Sequence, residues 1–160
     1  MTALNEFDST PVTRWLAANG VPHRLFRHPG EVHSLEQAAR ERGQSPDQVV
    51  RSIVFRLSQG EYVMVLVAGS RQVSWPALRH YLKQSRLTMA SETEVLEATG
   101  YPLGAVSPFG LPAPMRILVD QSVLEQNEIS LGSGERYSTV FMTVKDLLNG
   151  LDTVEKGAFT

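Results

Sequence analysis

Two neighbouring apolar segments around residue 60 constrain the fold of this chain more than any other feature. Residues 50–58 are rich in β-branched and apolar side chains, and residues 61–69 are apolar almost throughout. Because the turn sequence Gln59-Gly60 separates them, the pair predicts a β-hairpin. The second segment lacks the alternation of a half-exposed strand, so we expect a central strand covered on both faces. Its longest apolar run has eight residues, whereas a membrane-spanning helix needs about 20.

Helix and strand signals alternate along the rest of the chain. Helix start signals precede five segments, which we expect to form helices ending near Gly20, Gly43, Leu82, Gly100 and Asn149. A helical turn at 45–48 and a short helix at 122–127 add to these, and further strands are predicted at 22–28, 86–90, 116–120, 128–131 and 137–142. The sequence therefore predicts one α+β domain over residues 1–160, with a mixed, mostly antiparallel sheet flanked by helices. Residues 151–160 are expected to form a loose tail.

Composition excludes several classes of function. The net charge of −2 argues against a strongly basic DNA-binding protein. The basic residues are concentrated before residue 92, where eleven face seven acidic ones, which leaves room for a limited contact with phosphates. There is no cysteine, and His23, His28 and His33 are spaced by five, so they do not share a helical face. We expect no metal and no thiol chemistry, no signal peptide at the N-terminus, no membrane contact and a cytoplasmic protein.

Arg51 is the first residue that indicates chemistry. Side chains alternate along a strand, so Arg51 shares a face with the core-type residues Ile53, Phe55 and Leu57. An unpaired buried charge is costly, and we therefore expect Arg51 to have a carboxylate partner or an anionic ligand. An ion pair, or a side chain that reaches out to solvent, is the purely structural alternative.

The second candidate is an uncharged loop over residues 101–114, with four prolines and two glycines. Loops of this length without secondary structure are usually functional or disordered, and its apolar residues argue against disorder. Gly104 and Gly110 allow a ligand to approach the backbone closely, where consecutive N–H groups can bind an oxyanion or a carboxylate. A rigid surface loop is the alternative. The segment Leu131–Gly134 alone indicates no more than a turn.

Six segments together match one family pattern: Phe26–His28, Ala38–Gly43, Val49–Phe55, Gly100–Gly110, Ile129–Gly134 and Thr143–Leu147. Through them the chain resembles the YbaK / prolyl-tRNA-synthetase-associated editing domain family, from about Leu25 to Leu148. The Gly-x-x-x-Pro loop that begins at Gly104 is the most specific element, and the others support it.

The resemblance implies an enzyme of translation fidelity that acts in trans. Members hydrolyse the ester of an amino acid wrongly attached to tRNA, most often tRNA for proline, so the implied partners are the 3′ acceptor end of an aminoacyl-tRNA and prolyl-tRNA synthetase. Arg51 and Gly104 are the implied catalytic residues, with water as the nucleophile, a small amino acid as the group removed, and no cofactor. The implied substrate-binding residues are His28, Ser107, Pro108, Phe109, Gly110, Gly132 and Gly134.

One position departs from the family pattern. The family's pocket lysine aligns with Arg51, and arginine keeps the positive charge but does not act as a proton donor or base. The alternative function is therefore a non-catalytic module of the same fold that binds tRNA or a synthetase.

Overall fold

The computed structural model describes residues 8–160. Most of the N-terminal segment on which the signal-peptide expectation rests lies outside the described residues. The described helices are α1 Pro11–Ala18, α2 Leu35–Arg42, α3 Trp75–Leu82, α4 Glu92–Thr99, α5 Gln121–Leu124 and α6 Val144–Gly150, and a 3₁₀ turn covers Pro46–Gln48. The described strands are β1 Arg24–Arg27, β2 Val50–Leu57, β3 Tyr62–Ala68, β4 Leu87–Met89, β5 Arg116–Asp120, β6 Glu128–Gly132, β7 Ser138–Thr143 and β8 Glu155–Gly157. The predicted α+β class is confirmed.

The predicted hairpin forms the centre of a five-stranded sheet with the order β4-β2-β3-β5-β8. Strands β2 and β3 pair antiparallel, whereas β3 and β5 pair parallel, so the sheet is mixed. Alternate residues of β3 enter two different apolar clusters: Met64 and Leu66 lie in one, Val63 and Val65 in the other. Burial on both faces explains why this strand shows no polar alternation.

The strands divide between two sheets, whereas the sequence analysis expected one. The second sheet is antiparallel, with the order β1-β7-β6. A single parallel bridge between Val49 and Ser130 connects the two sheets where β2 begins. Val54 and Met64 of the large sheet share an apolar cluster with Ile129 of the small one. The core between the sheets therefore fixes the start of β2 against β6, which is where the site lies.

The C-terminal segment differs from the prediction of a loose tail. Residues 155–157 form β8, which pairs parallel with β5. Beyond it, Phe159 is 1% exposed, and its backbone N–H donates to Asp120 Oδ1 over 2.7 Å. Glu155 also forms an ion pair with Arg116. The segment is ordered because its partners come from β5, nearly 40 residues earlier in the chain, and a local reading of composition cannot show such pairing.

Candidate functional site

A cavity of about 310 Å³ opens where the two sheets meet. Its wall is formed by the start of β2, the end of β6, the start of β7 and the loop after α4, and it includes Arg51, Ser52, Gly104 and Gly132. Arg42, at the end of α2, also lines it. Two arginines and no acidic side chain are among the described lining residues, so the cavity favours an anionic or electron-rich ligand.

The loop that carries Gly104 packs directly on β6. A Cβ atom at Gly132 would lie 2.7 Å from the carbonyl carbon of Val106 and 2.8 Å from that of Ala105. Two residues later, the N–H of Gly134 donates a hydrogen bond of 2.9 Å to the carbonyl oxygen of Ala105. Only glycine at position 132 permits this approach. Gly104 and Arg51 both lie in the wall of the same cavity.

Gly104 has a left-handed backbone conformation. Its φ of +87° is in the region that glycine tolerates and other residues rarely adopt. No described atom lies within 4 Å of the place where its Cβ would be. Within residues 8–160, the N–H groups of Gly104 and Val106 donate to no acceptor, and both residues line the cavity. Neither amide is therefore committed to an acceptor in the described part of the chain.

Arg51 borders the cavity, but its protein partners are not the ones expected. Its Nε donates to the carbonyl oxygen of Gly69 over 2.7 Å, and its Nη2 donates to the carbonyl of Arg71. The expected carboxylate is therefore absent from its contacts within the described chain, and backbone carbonyls take its place. Burial lowers the pKa of the Arg51 guanidinium. Carbonyl dipoles offset part of the cost of burying the charge, while Nη1 donates to no described residue.

His28 lies behind the cavity wall and not in it. Its side chain is fully buried, Nδ1 lies 2.6 Å from Glu41 Oε1, and Nε2 accepts a hydrogen bond of 3.1 Å from Arg42 Nε. Since Nε2 accepts, Nδ1 carries the proton and donates to the carboxylate. Two hydrogen bonds lower the pKa of Glu41. The one from the Gln37 side chain has the larger effect, and the one from His28 comes second. His28 can therefore affect a ligand in the cavity only through Arg42.

The sequence analysis missed Arg42. It is the last residue of α2, just before Gly43, which ends the helix with a φ of 69°. Its Nη1 donates to Ser130 Oγ over 2.9 Å, and burial lowers its pKa to about 10, an effect that the nearby Glu41 carboxylate opposes. In the sequence the residue belongs to an Arg-Glu-Arg run that is typical of a solvated helix face. The glycine that follows was the one signal that the helix ends here.

Ser52 was also missed. Its Oγ atom is buried and has no hydrogen-bond partner within the described residues, although the residue lines the cavity. A buried hydroxyl group without a partner is uncommon and costly. A ligand atom in the cavity is therefore one way in which this hydroxyl group could be satisfied.

Three of the predicted binding residues face a different space. Pro108, Phe109 and Gly110 line a larger cleft of about 770 Å³, on the side of the loop where Trp15 lies. None of the three lines the smaller cavity with Arg51. Phe109 is 1% exposed and packs on Trp15, with 5.3 Å between the ring centroids. The structure therefore separates these residues from Arg51, Gly104 and Gly132.

The two remaining predicted residues support the loop. Ser107 is fully buried, and its Oγ accepts the N–H of Phe109 over 3.1 Å. Gly134 has a φ of +90°, and a Cβ there would lie 3.1 Å from the ring of Tyr101. The hydroxyl group of Tyr101 in turn donates to the carbonyl of Phe109 over 2.6 Å. Both residues fix the shape of the loop and line neither the cavity nor the cleft in the described chain.

The described part of the chain shows neither a metal-site cluster nor a helix able to span a membrane. No three histidine, aspartate or glutamate side chains between residues 8 and 160 come together as a metal site requires. None of the helices in the same range has the length and the apolar character needed to cross a membrane.

Sequence comparison identifies one matching family and several relatives of this chain. Residues 29–149 match the model of the aminoacyl-tRNA editing domain family. Proline–tRNA ligase of Kosmotoga olearia is 34% identical over 99 residues, which are 62% of this chain and 17% of the ligase. This chain thus spans about a fifth of the length of the proline–tRNA ligases it matches. Protein YwhH of Bacillus subtilis is 31% identical over 120 residues, covering 71% of this chain and 72% of YwhH.

The fold is also that of a solved relative. The crystal structure of a candidate trans-editing enzyme for prolyl-tRNA synthetase superposes with a TM-score of 0.86 at 24% identity, covering 94% of each chain. The family match covers most of the described chain and includes Arg51, Gly104 and Gly132. This chain belongs to the aminoacyl-tRNA editing domain family.

Proposed function

We propose that this chain is an aminoacyl-tRNA deacylase that hydrolyses the ester of a small amino acid mischarged on tRNA, acting in trans. The observation that carries the proposal is the cavity at Gly104, where two N–H groups without an acceptor in the described chain lie beside two arginines. An ester carbonyl that is attacked by water develops negative charge on its oxygen. Amides and guanidinium groups around a small cavity are suited to stabilise that charge.

The reaction needs only groups that the substrate and the loop supply. Water attacks the ester carbonyl, the N–H groups of Gly104 and Val106 stabilise the oxyanion, and the bond to the terminal ribose oxygen breaks. Loss of one such donor costs about 3–4 kcal/mol of transition-state stabilisation. No histidine, lysine or carboxylate of the described chain lines the cavity. We therefore assign the proton transfer to the neighbouring ribose hydroxyl of the substrate, which carries the proton from the water to the leaving oxygen.

The size of the cavity supports a small amino acid. A volume of about 310 Å³ is at the lower end of the roughly 300–1,000 Å³ typical of ligand sites. A missing methylene changes affinity by only about 1–3 kcal/mol, so steric exclusion of larger side chains is the more effective selection. Its relatives among proline–tRNA ligases support tRNA for proline as the substrate and prolyl-tRNA synthetase as a partner.

Arg51 holds the substrate in this proposal and transfers no proton. Two backbone carbonyls orient its guanidinium, and Nη1 remains available for the terminal phosphate or the ester. Lysine at this position keeps the charge but has a single nitrogen and cannot span two carbonyls and a ligand in the same way. Arg51→Lys therefore tests whether the charge alone is sufficient for activity.

The decisive experiment is a deacylation assay with tRNA for proline charged with alanine, cysteine, serine or proline. We expect release of at least one small non-cognate amino acid, with correctly charged prolyl-tRNA left intact. Gly104→Val serves as the inactive control, because it places a β-branched side chain at a φ of +87° in the cavity wall.

One observation favours the alternative, a non-catalytic binding module. The Arg51 guanidinium is already bonded to protein carbonyls, as expected for a structural residue. In that case the wild-type chain binds the aminoacyl-tRNAs but releases no amino acid above the rate of the Gly104→Val control. That result would refute the deacylase proposal and leave the binding function.

A further inference from the structure

Arg42 is a half-buried cation that contributes positive charge to the cavity but has no specific role of its own in the proposed hydrolysis. Its Nε and Nη1 donate to His28 Nε2 and Ser130 Oγ, and Nη2 donates to no described residue. Within residues 8–160 it forms no ion pair. A largely buried charge whose direct hydrogen-bond partners are neutral is costly to the folded protein, and the nearby Glu41 carboxylate offsets only part of that cost. Such a residue is better explained by an anion that binds to it than by its contribution to stability.

The surroundings of Arg42 fix its guanidinium in place. Glu41 accepts the Nδ1 proton of His28, so the Nε2 lone pair of the imidazole is directed at Arg42 Nε. Ser130 Oγ accepts from Nη1 and donates to Gln44 Oε1 over 2.6 Å. These contacts hold the side chain from two directions. A guanidinium that is held in this way loses little conformational entropy when it binds an oxyanion.

The contacts also explain which part of Arg42 is available. Nε and Nη1 are bonded to His28 and Ser130, so Nη2 is the nitrogen without a described partner. Arg42 itself lines the cavity together with Gly104 and Ser52. Guanidinium nitrogens bind phosphate and carboxylate oxygens with two parallel hydrogen bonds. No acidic side chain lines the cavity in the described chain, so nothing from the protein competes for the free nitrogen.

We propose that Arg42 is a specificity-determining residue that binds an oxyanion group of the molecule in the cavity, and that His28 and Glu41 are its positioning residues. The inference rests on the proposed function only for the identity of that molecule. Two parts of a substrate offer this chemistry: the phosphate of the terminal nucleotide and the carboxylate of an acidic aminoacyl side chain.

Titration calorimetry with three probes tests the site without any hydrolysis. Adenosine 5′-monophosphate carries the phosphate, adenosine lacks it, and succinate supplies carboxylates alone. We expect the monophosphate to bind the wild-type chain at least tenfold more tightly than adenosine, and Arg42→Leu to remove roughly tenfold to hundredfold of that preference. Arg40→Leu, which removes the same charge from an exposed position on the same helix, is the matched control and should keep it.

Each outcome either supports or overturns the proposed oxyanion site at Arg42. An Arg42-dependent affinity for succinate, without a preference for the monophosphate over adenosine, would keep the oxyanion site and assign it to a carboxylate. Equal binding of the monophosphate and adenosine, together with no Arg42-dependent binding of succinate, would overturn the site. Equal effects of Arg42→Leu and Arg40→Leu would also overturn it, because they would indicate long-range charge alone.

The positioning role has its own readout. Glu41→Gln keeps an oxygen that accepts the Nδ1 proton, whereas Glu41→Leu does not. We expect the glutamine variant to keep most of the preference for the monophosphate. The leucine variant should lose this preference and should also show a changed ¹⁵N signal for the His28 ring. Equal behaviour of the two variants would refute the role. Deacylation without Arg42-dependent binding would support the proposed function and refute the oxyanion site. Arg42-dependent binding without deacylation would support the oxyanion site and refute the proposed function.

Discussion

The contact between Gly132 and the loop at Val106 gives the sharpest test of how the cavity is built. Gly132→Ala adds one Cβ atom at 2.7 Å from the carbonyl carbon of Val106 and 2.8 Å from that of Ala105. The carbonyl oxygen of Val106 would lie closer still, and ordinary contact begins at 3.4 Å. The loop and β6 must therefore separate by more than the roughly 0.7 Å that the Val106 carbonyl carbon alone requires. The atoms in the way belong to the backbone, and no side-chain rotation can relieve the clash. The whole loop must move.

The expected loss of stability follows from this geometry. Overpacking a well-packed region costs about 1–3 kcal/mol, and we expect Gly132→Ala to lower the free energy of unfolding by about 3 kcal/mol, at the top of that range. The same displacement moves Gly104 relative to Arg51, so deacylation should fall more than tenfold even in the folded fraction. Urea unfolding followed by circular dichroism and a deacylation assay measure the two effects.

Gly30→Ala is the matched control for this experiment. No described atom lies within 4 Å of a Cβ at Gly30, and its φ is outside the left-handed region. We expect a change of less than about 0.5 kcal/mol there, as at other surface positions. If Gly132→Ala were as stable and as active as Gly30→Ala, the argument that glycine at 132 shapes the cavity would be wrong.

Three further predictions concern other parts of the molecule. Arg51→Ala should abolish deacylation and lower the free energy of unfolding by about 1–3 kcal/mol, because two partly buried backbone carbonyls lose their donor; unchanged activity would remove Arg51 from the mechanism. Gly104→Val should lose nearly all hydrolysis with a near-normal circular dichroism spectrum, whereas Ser107→Ala should keep most of its activity, and the opposite ranking would indicate a serine nucleophile. The hydrogen bond from Arg116 lowers the pKa of Glu155 below its usual 4.5, so its stabilisation is present above that pH and is lost as the pH falls through the lower, folded-state value. Urea titrations should show the stability gap between wild type and Glu155→Gln closing in that acidic range, and a constant gap would contradict the ion pair.

Local signals in the sequence were enough to predict most elements. Hydroxyl side chains cap the predicted helices, as at Ser34, whose Oγ accepts the N–H of Gln37. The apolar pattern of β3 identified the central strand. The family pattern predicted that Arg51 and Gly104 belong to one site, and both line the same cavity.

What could not be predicted depends on contacts between distant residues. In the sequence, Arg42 resembles a solvent-exposed charge, because its contact with Ser130 depends on where β6 lies in the fold. Pro108 and Phe109 follow Gly104 closely in the chain, yet the loop turns around Tyr101, and the two residues lie beside the other cleft. Position along the sequence cannot show which side of a loop a residue faces.

The two outer strands of the large sheet, β4 and β8, have only three residues each. Long, flat outer strands present unpaired N–H and C=O groups to which other chains can add, and short ones limit that risk. Without β8, the apolar strand β5 would become an open parallel edge. Removal of residues 154–160 is therefore expected to make the protein self-associate at concentrations where the full chain stays dispersed. We therefore expect the C-terminal strand to limit aggregation as well as to complete the large sheet.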